Sequence, residues 1–393
     1  MKQSSESKKM PDGETPEQGP RGAQTGFDTP EPLWIDSRSG LENFLDEVQD
    51  ATFVGMDLEA DNLHSYREKL CLIQLAADGR VALIDPLAFD DCSPLLEFID
   101  DERRDLWMHG ADFDMTLMLG TFDWLPHRIR DTQIAAQLVG CRQFGLASLV
   151  KNFFGIEISK SSQKQDWSKR PLTPKMLEYA AADAALLLPL KEQLMARLVE
   201  LGRLDWFEES CSAARRQVLA RPPRDTSELW RISGSGALRG RQLAILRALW
   251  HWRENEACRR DVPTFKVISN QELLDLSRGL DEGGRPEIRR RLTAPARREL
   301  SELIPKVLSL PEREWPERQR SKRSKRPKDF EEKVDQLKAL RDAAAARLDI
   351  DPSVIAARKT LESIVLGEHT ETNGRLLEWQ RELLGPEGPG STP

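Results

Sequence analysis

Long apolar runs are absent from this chain of 393 residues, and no stretch approaches the roughly eighteen consecutive apolar residues of a membrane-spanning helix. The first 31 residues are polar and contain no apolar segment of the kind found in a secretory signal. We therefore expect neither membrane insertion nor secretion. Apolar residues still make up 39% of the chain, which is enough for real cores, and the length suggests two or three domains.

Cysteine is also scarce, and none of the cysteines form a C-x-x-C pair. The five are scattered widely along the chain: Cys71, Cys92, Cys141, Cys211 and Cys258. This pattern excludes a zinc ribbon and fits reduced thiols. We expect a cytoplasmic protein in which cysteine carries no chemistry.

Positive charge is under-represented in one half of the chain only. Residues 31–216 contain 20 basic and 32 acidic side chains, whereas residues 217–393 contain 34 and 28. An acidic region can collect metal cations and a basic region can hold a polyanion, although solvated surface charge is an equally common explanation. The charge pattern is thus a first indication, which needs support from specific residues.

The apolar pattern divides the chain into one mixed region and two helical regions. Short apolar runs predict strands at residues 52–58, 70–77, 81–84 and 106–109, the second and third joined as a hairpin by Asp78-Gly79-Arg80. Helical spacing predicts helices at residues 94–99, 115–119, 132–139 and 173–202. Strands followed by alternating strands and helices are typical of a mixed α/β sheet.

Beyond the Arg-Pro-Pro-Arg sequence at residues 221–224, only helices are predicted. They lie at residues 240–258, 285–292 and 295–308, with another capped by Ser269 and Glu272, and a last helical unit covers residues 330–384. We predict a disordered tail at 1–32, an α/β domain at 33–210, a linker at 211–225, a helical domain at 226–312, a basic linker at 313–329, a second helical domain at 330–385 and a tail at 386–393. Three tryptophans of the helical part, Trp230, Trp250 and Trp252, are expected to pack in a core rather than to stack on bases.

Two acids occupy alternate positions of the first predicted strand, in the sequence Val54-Gly55-Met56-Asp57-Leu58-Glu59. Because side chains alternate along a strand, Asp57 and Glu59 project from one face of the sheet. A solvated edge strand explains such a pair equally well, so this motif is weak by itself.

Two further acidic elements occur later in the predicted α/β domain. Asp112 and Asp114 follow the strand at 106–109, where either can cap the next helix or serve a site. Tyr179 and Asp183 have the i, i+4 spacing that places a phenol and a carboxylate on one helical face.

If the fold brings these four acids into one cleft, the cleft is expected to bind metal, because clustered carboxylates repel one another unless cations neutralise them. Ligation by oxygen alone favours Mg²⁺ or Mn²⁺ over zinc. Two such ions activate a water and stabilise the departing oxygen of a phosphodiester. Phosphodiester hydrolysis is the reaction that such a site suits.

The order of these motifs resembles the tyrosine-bearing branch of the DEDD superfamily of 3′-to-5′ exonucleases, and within it the ribonuclease D family. The resemblance covers about residues 33–205 and rests on these segments: Asp57-x-Glu59, Leu72-Ile73-Gln74-Leu75, His109-Gly110-Ala111-x-x-Asp114, Asp131-Thr132-Gln133, Asp166-Trp167-x-x-Arg170-Pro171-Leu172 and Tyr179-x-x-x-Asp183. Residues 253–268 and the following capped helix resemble an HRDC domain, a small nucleic-acid-binding module, and residues 330–384 resemble a second one more weakly.

The resemblance implies a ribonuclease-H-like α/β exonuclease domain followed by all-α HRDC-type domains. It makes Asp57, Glu59, Asp114 and Asp183 the ligands of two divalent ions, and Tyr179 the residue that orients the attacking water. Asp112 competes with Asp114 for its role, and the spacing from His109 favours Asp114.

The expected activity is trimming of the 3′ ends of precursor tRNA and other small structured RNAs, with release of nucleoside 5′-monophosphates and with no obligate protein partner. A DNA exonuclease of the same branch is the first alternative, because the residues that read the 2′-hydroxyl are not recognisable in the sequence. A nucleic-acid-binding protein with an inactive nuclease domain is the second. The presence of all four acids and the tyrosine argues against it.

Overall fold

A six-stranded mixed sheet forms the centre of the first part of the molecule. The structure is a computed structural model that describes residues 30–159, 161–222, 226–285, 288, 292–317, 326–367 and 376–385. The strands are β1 (Leu33–Ile35), β2 (Phe53–Ala60), β3 (Leu70–Ala77), β4 (Arg80–Ile84), β5 (Asp105–Met108) and β6 (Ile129–Asp131), in the spatial order β1-β4-β3-β2-β5-β6. Strand β3 is antiparallel to β2 and β4, and the other neighbours are parallel. The predicted mixed α/β sheet is thus confirmed, whereas the sequence pattern does not predict β1 and β6, because three residues are too few for a recognisable period.

The predicted hairpin joins β3 to β4 through two residues. Asp78 and Gly79 both have positive φ, at 47° and 75°. Two central residues in this region are typical of a type I′ turn, whose twist matches that of the flanking strands. The Asp-Gly pair therefore determines the register of β3 against β4.

Helices cover both faces of the sheet. They are α1 (Arg38–Glu47), α2 (Ser93–Ile99), α3 (Asp112–Phe122), α4 (Thr132–Leu138), α5 (Leu146–Phe154), α6 (Pro174–Ala185), α7 (Leu187–Glu200) and α8 (Leu204–Leu219). One face of β2, with Val54, Met56 and Leu58, lies in the main apolar core together with residues of α1, α2 and α3. The other face packs against α6, where Ala181 and Ala184 contact Ala76 and Val81 in a separate small cluster.

The single helix predicted for residues 173–202 is two helices, and that prediction was wrong in this respect. The first, α6, ends at Ala185, and α7 begins at Leu187. Pro189 explains the break, because proline has no N–H to donate to the carbonyl of Ala185 and its ring collides with that carbonyl in a continuous helix.

The predicted linker at residues 211–225 also needs correction. Helix α8 continues through this segment to Leu219, and its residues Phe207, Cys211 and Val218 are buried. The spacing of these three residues is helical, and they pack on the α/β domain. The predicted domain end at residue 210 therefore falls inside a helix.

The next part of the chain is helical, as predicted. It contains α9 (Arg241–Arg260), α10 (Thr264–Val267), α11 (Asn270–Asp281) and α12 (Ala294–Leu308), and the predicted capping box of Ser269 and Glu272 begins α11. Trp230, Trp250 and Trp252 are buried in its core, which confirms the expected packing role. Contact with the α/β domain includes the Tyr66 hydroxyl, which donates to Glu254 at 3.2 Å.

The last described helices share an apolar core with the α/β domain. They are α13 (Phe330–Leu348), α14 (Pro352–Ile355), α15 (Arg358–Leu366) and α16 (Glu378–Leu384), which we call the C-terminal helical unit. Trp379 stacks on Trp206 with ring centroids 4.9 Å apart. Arg203 donates to the carbonyl oxygens of Leu138 at 2.5 Å and of Leu348 at 2.7 Å, so one side chain bridges the two parts.

Several predicted segments lie partly or wholly outside the described residues. These are the tail at 1–32 apart from residues 30–32, the end of the first linker at 223–225, the middle of the basic linker at 318–325, most of the helix at 285–292, and the tail at 386–393. No helix in the described ranges is long and apolar enough to cross a membrane. All five cysteines are free thiols.

Candidate active site

Strand β2 presents Asp57 and Glu59 toward helix α6. Gly55 lies on the same face, and a Cβ there would come within 3.0 Å of the carbonyl oxygen of Ala184. Glycine thus lets the end of α6 lie close to the strand. The alternation predicted from the sequence is confirmed, because both acids line one cleft while Met56 lies in the core behind them.

Helix α6 brings Tyr179 and Asp183 to the same cleft. The Thr173 side chain accepts a hydrogen bond from the Met176 amide and caps the helix, as the sequence predicts. One turn apart on the helix, Tyr179 and Asp183 both line the cleft, and burial together with the Asp183 charge raises the pKa of the Tyr179 phenol. Carboxylate oxygens of Asp57, Glu59 and Asp183 lie within 4.8 Å of one another.

A sharp turn after β5 positions the start of α3. Gly110 has a φ of 64°, which favours glycine, and the Asp131 carboxylate accepts from the Gly110 and Ala111 amides at 2.8 and 2.9 Å. The Nδ1 of His109 lies 2.9 Å from the Thr132 hydroxyl, which donates to a carbonyl of β5. Hydrogen bonds therefore join the motif at 109–114 to the motif at 131–133.

Asp112 and Asp114 have different environments although they are two residues apart. The residue before α3 is Ala111, so neither acid caps the helix and the capping explanation is wrong. Asp112 is exposed and forms an ion pair with Arg221. Asp114 is buried, and its charge interacts with those of Asp57 and Glu59. Of the two, only Asp114 interacts electrostatically with the cluster, although it is not one of the three acids whose oxygens lie within 4.8 Å of one another.

Burial raises the pKa of all four carboxyl groups, and repulsion by the neighbouring acids adds to this shift at Asp57 and Glu59. Burial raises the pKa of Glu59 to about 10, with further contributions from Asp57, Asp183 and Asp114. Burial also raises the pKa of Asp57, assisted by Asp114 and Asp183, and the pKa of Asp114 to about 7. Burial raises the pKa of Asp183 to about 6, and the interaction with the Tyr179 hydroxyl partly offsets this increase. The cluster therefore favours protons or a cation over four free charges.

The cleft around these residues has the donor set of a hard divalent cation. It has a volume of about 400 Å³, and its described lining residues include Asp57, Glu59 and Asp183 but no lysine or arginine. No cysteine lines it, and the cluster of possible ligand atoms consists of carboxylate oxygens alone. These features fit Mg²⁺ or Mn²⁺.

Residues outside the carboxylate cluster support Tyr179. The buried Trp167 packs against it, with ring centroids 6.1 Å apart. Arg170 makes two hydrogen bonds of 2.6 Å to Asp85 and donates to the Trp167 carbonyl at 2.7 Å. The sequence contains these residues as part of the family motif, but their supporting role depends on contacts between distant segments.

Comparison with known families matches two parts of the chain. The model of a 3′-5′ exonuclease domain matches residues 32–199, and that of the HRDC domain matches residues 242–280. The first match contains every cleft residue discussed above, and the second contains helix α11 up to Leu280.

Among individual proteins, ribonuclease D of Gluconacetobacter diazotrophicus is 31% identical over 387 residues, which span 93% of this chain and 94% of the relative. Ribonuclease D of Escherichia coli K12 is 34% identical over 248 residues, or 62% and 65% of the two chains. The crystal structure of E. coli RNase D, described as an exoribonuclease involved in structured RNA processing, superimposes with a TM-score of 0.66 at 28% identity and covers 85% of this chain and 90% of that one.

Proposed function

Because this chain belongs to the ribonuclease D family of 3′-to-5′ exoribonucleases, we propose that its carboxylate cleft trims the 3′ ends of precursor tRNA and other small structured RNAs. Each cycle hydrolyses the last phosphodiester and releases a nucleoside 5′-monophosphate. The observation that carries the proposal is the approach of Asp57, Glu59 and Asp183 oxygens to within 4.8 Å of one another, with Asp114 beside them. We place this activity in the cytoplasm, in keeping with the five free thiols.

We assign Asp57, Glu59, Asp114 and Asp183 as the ligands of two divalent ions, Mg²⁺ or Mn²⁺. When bound, such a pair of ions activates a water and stabilises the oxygen that departs from phosphorus. The raised pKa values support this assignment, because carboxyl groups that hold protons without a cation release them when a metal binds.

Tyr179 orients the attacking water in this proposal. Its pKa is raised by burial and by the Asp183 charge, so the phenol keeps its proton and is not a general base. Tyr179 lines the cleft beside Asp183, where the lone pairs of its phenol oxygen can accept a hydrogen bond from water.

The helical part at residues 226–312 and the basic linker at 313–329 are proposed to hold RNA outside the cleft. Residues 226–312 contain 16 basic and 12 acidic side chains and the linker contains 8 and 3, whereas residues 330–385 contain 8 and 11, and the α/β domain is also acidic and attracts a polyanion poorly over distance. Activity on structured RNA then needs no obligate protein partner.

A DNA exonuclease and an inactive nuclease domain that only binds nucleic acid are the competing functions. Matched RNA and DNA oligonucleotides, labelled at the 5′ end, distinguish them when they are incubated with Mg²⁺ and then with a chelator. We expect stepwise shortening of RNA, much slower shortening of DNA, and none with chelator.

The variant to compare with wild type in this assay is Asp57→Asn, which removes the charge of a proposed metal ligand and keeps the side-chain volume. It should bind RNA measurably and cleave it about a thousandfold more slowly, because several kcal/mol of transition-state stabilisation depend on the metal site. Preferred cleavage of DNA, or an Asp57→Asn variant with more than about a tenth of the wild-type rate, would contradict the proposal.

A further inference from the structure

A fully buried glutamine without hydrogen-bond partners lies beside the carboxylate cluster. Gln74, in the middle of β3, has no exposed surface, and neither its Nε2 nor its Oε1 has a partner among the described residues. No other side chain in the described ranges has two buried polar atoms without a partner. Burial of an unpartnered amide is unfavourable, so we expect Gln74 to form a hydrogen bond when the site is in use.

Asp57 is the polar residue directly opposite Gln74 in the sheet. The antiparallel register of β2 and β3 pairs the two residues, so their side chains project from the same face. Cβ atoms of such a pair are about 5 Å apart, which is within reach of a glutamine amide. Glu59 is paired with Leu72, so it lies diagonally to Gln74 and farther away.

The other neighbours of Gln74 on this face of the sheet are apolar. Leu72 and Ala76 flank it along β3, and Leu83 is its partner on β4. All three belong to apolar clusters that lie between the sheet and α6. None of these side chains can accept a hydrogen bond. The Asp57 carboxylate is therefore the acceptor that the register brings closest to the Gln74 amide.

We propose that the Gln74 side-chain amide donates a hydrogen bond to the Asp57 carboxylate and thereby holds this carboxylate in the orientation that binds a divalent cation. The inference rests on the proposed metal site and not on the identity of the substrate. A carboxylate that binds a metal ion through one oxygen can accept a hydrogen bond at the other, and such a bond fixes the direction of the ligand. Gln74 contacts neither the ion nor the RNA in this proposal, so it is a positioning residue.

The test measures the affinity for Mg²⁺ alone, without RNA. Calorimetric titration with Mg²⁺ is carried out on the full chain of the wild type, Gln74→Met and Gln74→Leu, which both remove the amide and keep about the same volume. Melting of each protein is recorded with chelator and over a range of Mg²⁺ concentrations. Trp252→Phe is the matched control, because the buried Nε1 of Trp252 also lacks a partner but lies in the core of the helical part at 226–312.

We expect Gln74→Met and Gln74→Leu to bind Mg²⁺ about 10- to 100-fold more weakly than wild type, as is usual when a group that orients a metal ligand is lost. Their melting temperatures with chelator should not fall, because an apolar side chain replaces an amide that has no partner there. The stabilisation at a given Mg²⁺ concentration should decrease in parallel. Trp252→Phe should bind Mg²⁺ within about twofold of wild type, because distant sites act independently.

Three results would overturn the inference about Gln74. The first is an Mg²⁺ affinity within about twofold of wild type in both glutamine variants. The second is an equal loss of affinity in Trp252→Phe. The third is a loss of stability with chelator as large as the loss with Mg²⁺, which would give Gln74 a purely structural role.

Failure of the proposed function gives a different result in the same series. A wild type that binds Mg²⁺ but leaves RNA uncleaved would contradict the proposed reaction, while the comparison of Mg²⁺ affinities would still support the role of Gln74. A wild type that binds no Mg²⁺ would contradict the metal site and the inference together.

Discussion

The carboxylate cleft and the interface with the C-terminal helical unit bury side chains of opposite character. In the cleft, Glu59 and Asp114 are less than a tenth exposed and repel the neighbouring acids. At the interface, Trp206 and Trp379 stack at 4.9 Å and Arg203 satisfies carbonyl oxygens from both parts. Burying like charges is unfavourable, whereas burying paired aromatic rings is favourable. The cleft thus lowers the stability of the metal-free protein, and the interface raises it.

Substitutions in the two regions should therefore have opposite consequences. A change in the cleft should remove activity without loss of stability when metal is absent. A change at the interface should reduce stability while folded molecules keep their chemistry. The following predictions test this contrast.

The largest effect is expected for Asp114→Asn. We expect cleavage to slow by about a thousandfold through loss of a metal ligand. The melting temperature with chelator should not fall, because a repulsive charge is removed from the cluster. Asp112→Asn is the matched control: Asp112 is exposed and pairs only at the surface with Arg221, so its rate should stay within about twofold. A more severe defect in Asp112→Asn would show that the other acid serves the site.

At the interface, Trp379→Ala should lower the free energy of unfolding by about 3 kcal/mol, because it removes a buried indole and its stacking partner contact. Cleavage per folded molecule, measured well below the unfolding transition, should stay close to that of wild type. Leu340→Ala serves as the control, since Leu340 is 51% exposed on α13, and its effect should stay within about 0.5 kcal/mol. If Trp379→Ala melts at the wild-type temperature, the stacking of Trp379 on Trp206 does not stabilise the C-terminal helical unit.

A smaller effect is expected for Tyr179→Phe, which should slow the single-turnover rate by about ten- to a thousandfold at saturating Mg²⁺. The ring that packs against Trp167 is kept, so thermal melting should barely change. If Tyr179→Phe cleaves at the wild-type rate, the Tyr179 hydroxyl takes no part in the reaction and the side chain serves only for packing. A large drop in melting temperature would instead make its effect structural.

The last effect concerns pH and needs no change of sequence. Asp183, Asp114 and Glu59 have pKa values of about 6, 7 and 10 in the folded state, above those of unfolded carboxyl groups. Between about pH 4 and these values the folded chain holds protons that the unfolded chain has released, so stability falls as pH rises, by at most about 1.4 kcal/mol per pH unit for each proton.

Melting in chelator should therefore show a decline between pH 5 and pH 8 that Mg²⁺ largely removes. Asp114→Asn should reduce this decline, and Trp379→Ala should retain it at a lower overall stability. The same decline with and without Mg²⁺ would indicate that it originates outside the cleft.

Local patterns were sufficient for much of the site. The alternation of Asp57 and Glu59 and the single-turn spacing of Tyr179 and Asp183 follow from strand and helix geometry, which depends on neighbouring residues only. The capping box of Ser269 and the positive φ of Gly79 are equally local. These features are therefore legible in the sequence without knowledge of the fold.

Contacts between distant segments decided the rest. In the sequence only the spacing from His109 separates Asp112 from Asp114, and the structure adds that Asp112 pairs with Arg221 at the surface while Asp114 is buried. Trp167 becomes a support for Tyr179 only when the fold brings the two rings together. The structure also shows that α8 continues through the predicted linker. The apolar face of this helix could be interpreted only from the core against which it packs. Sequence determines which groups a segment can offer, and tertiary structure decides which of them meet, since burial and charge interaction depend on distance in space rather than along the chain.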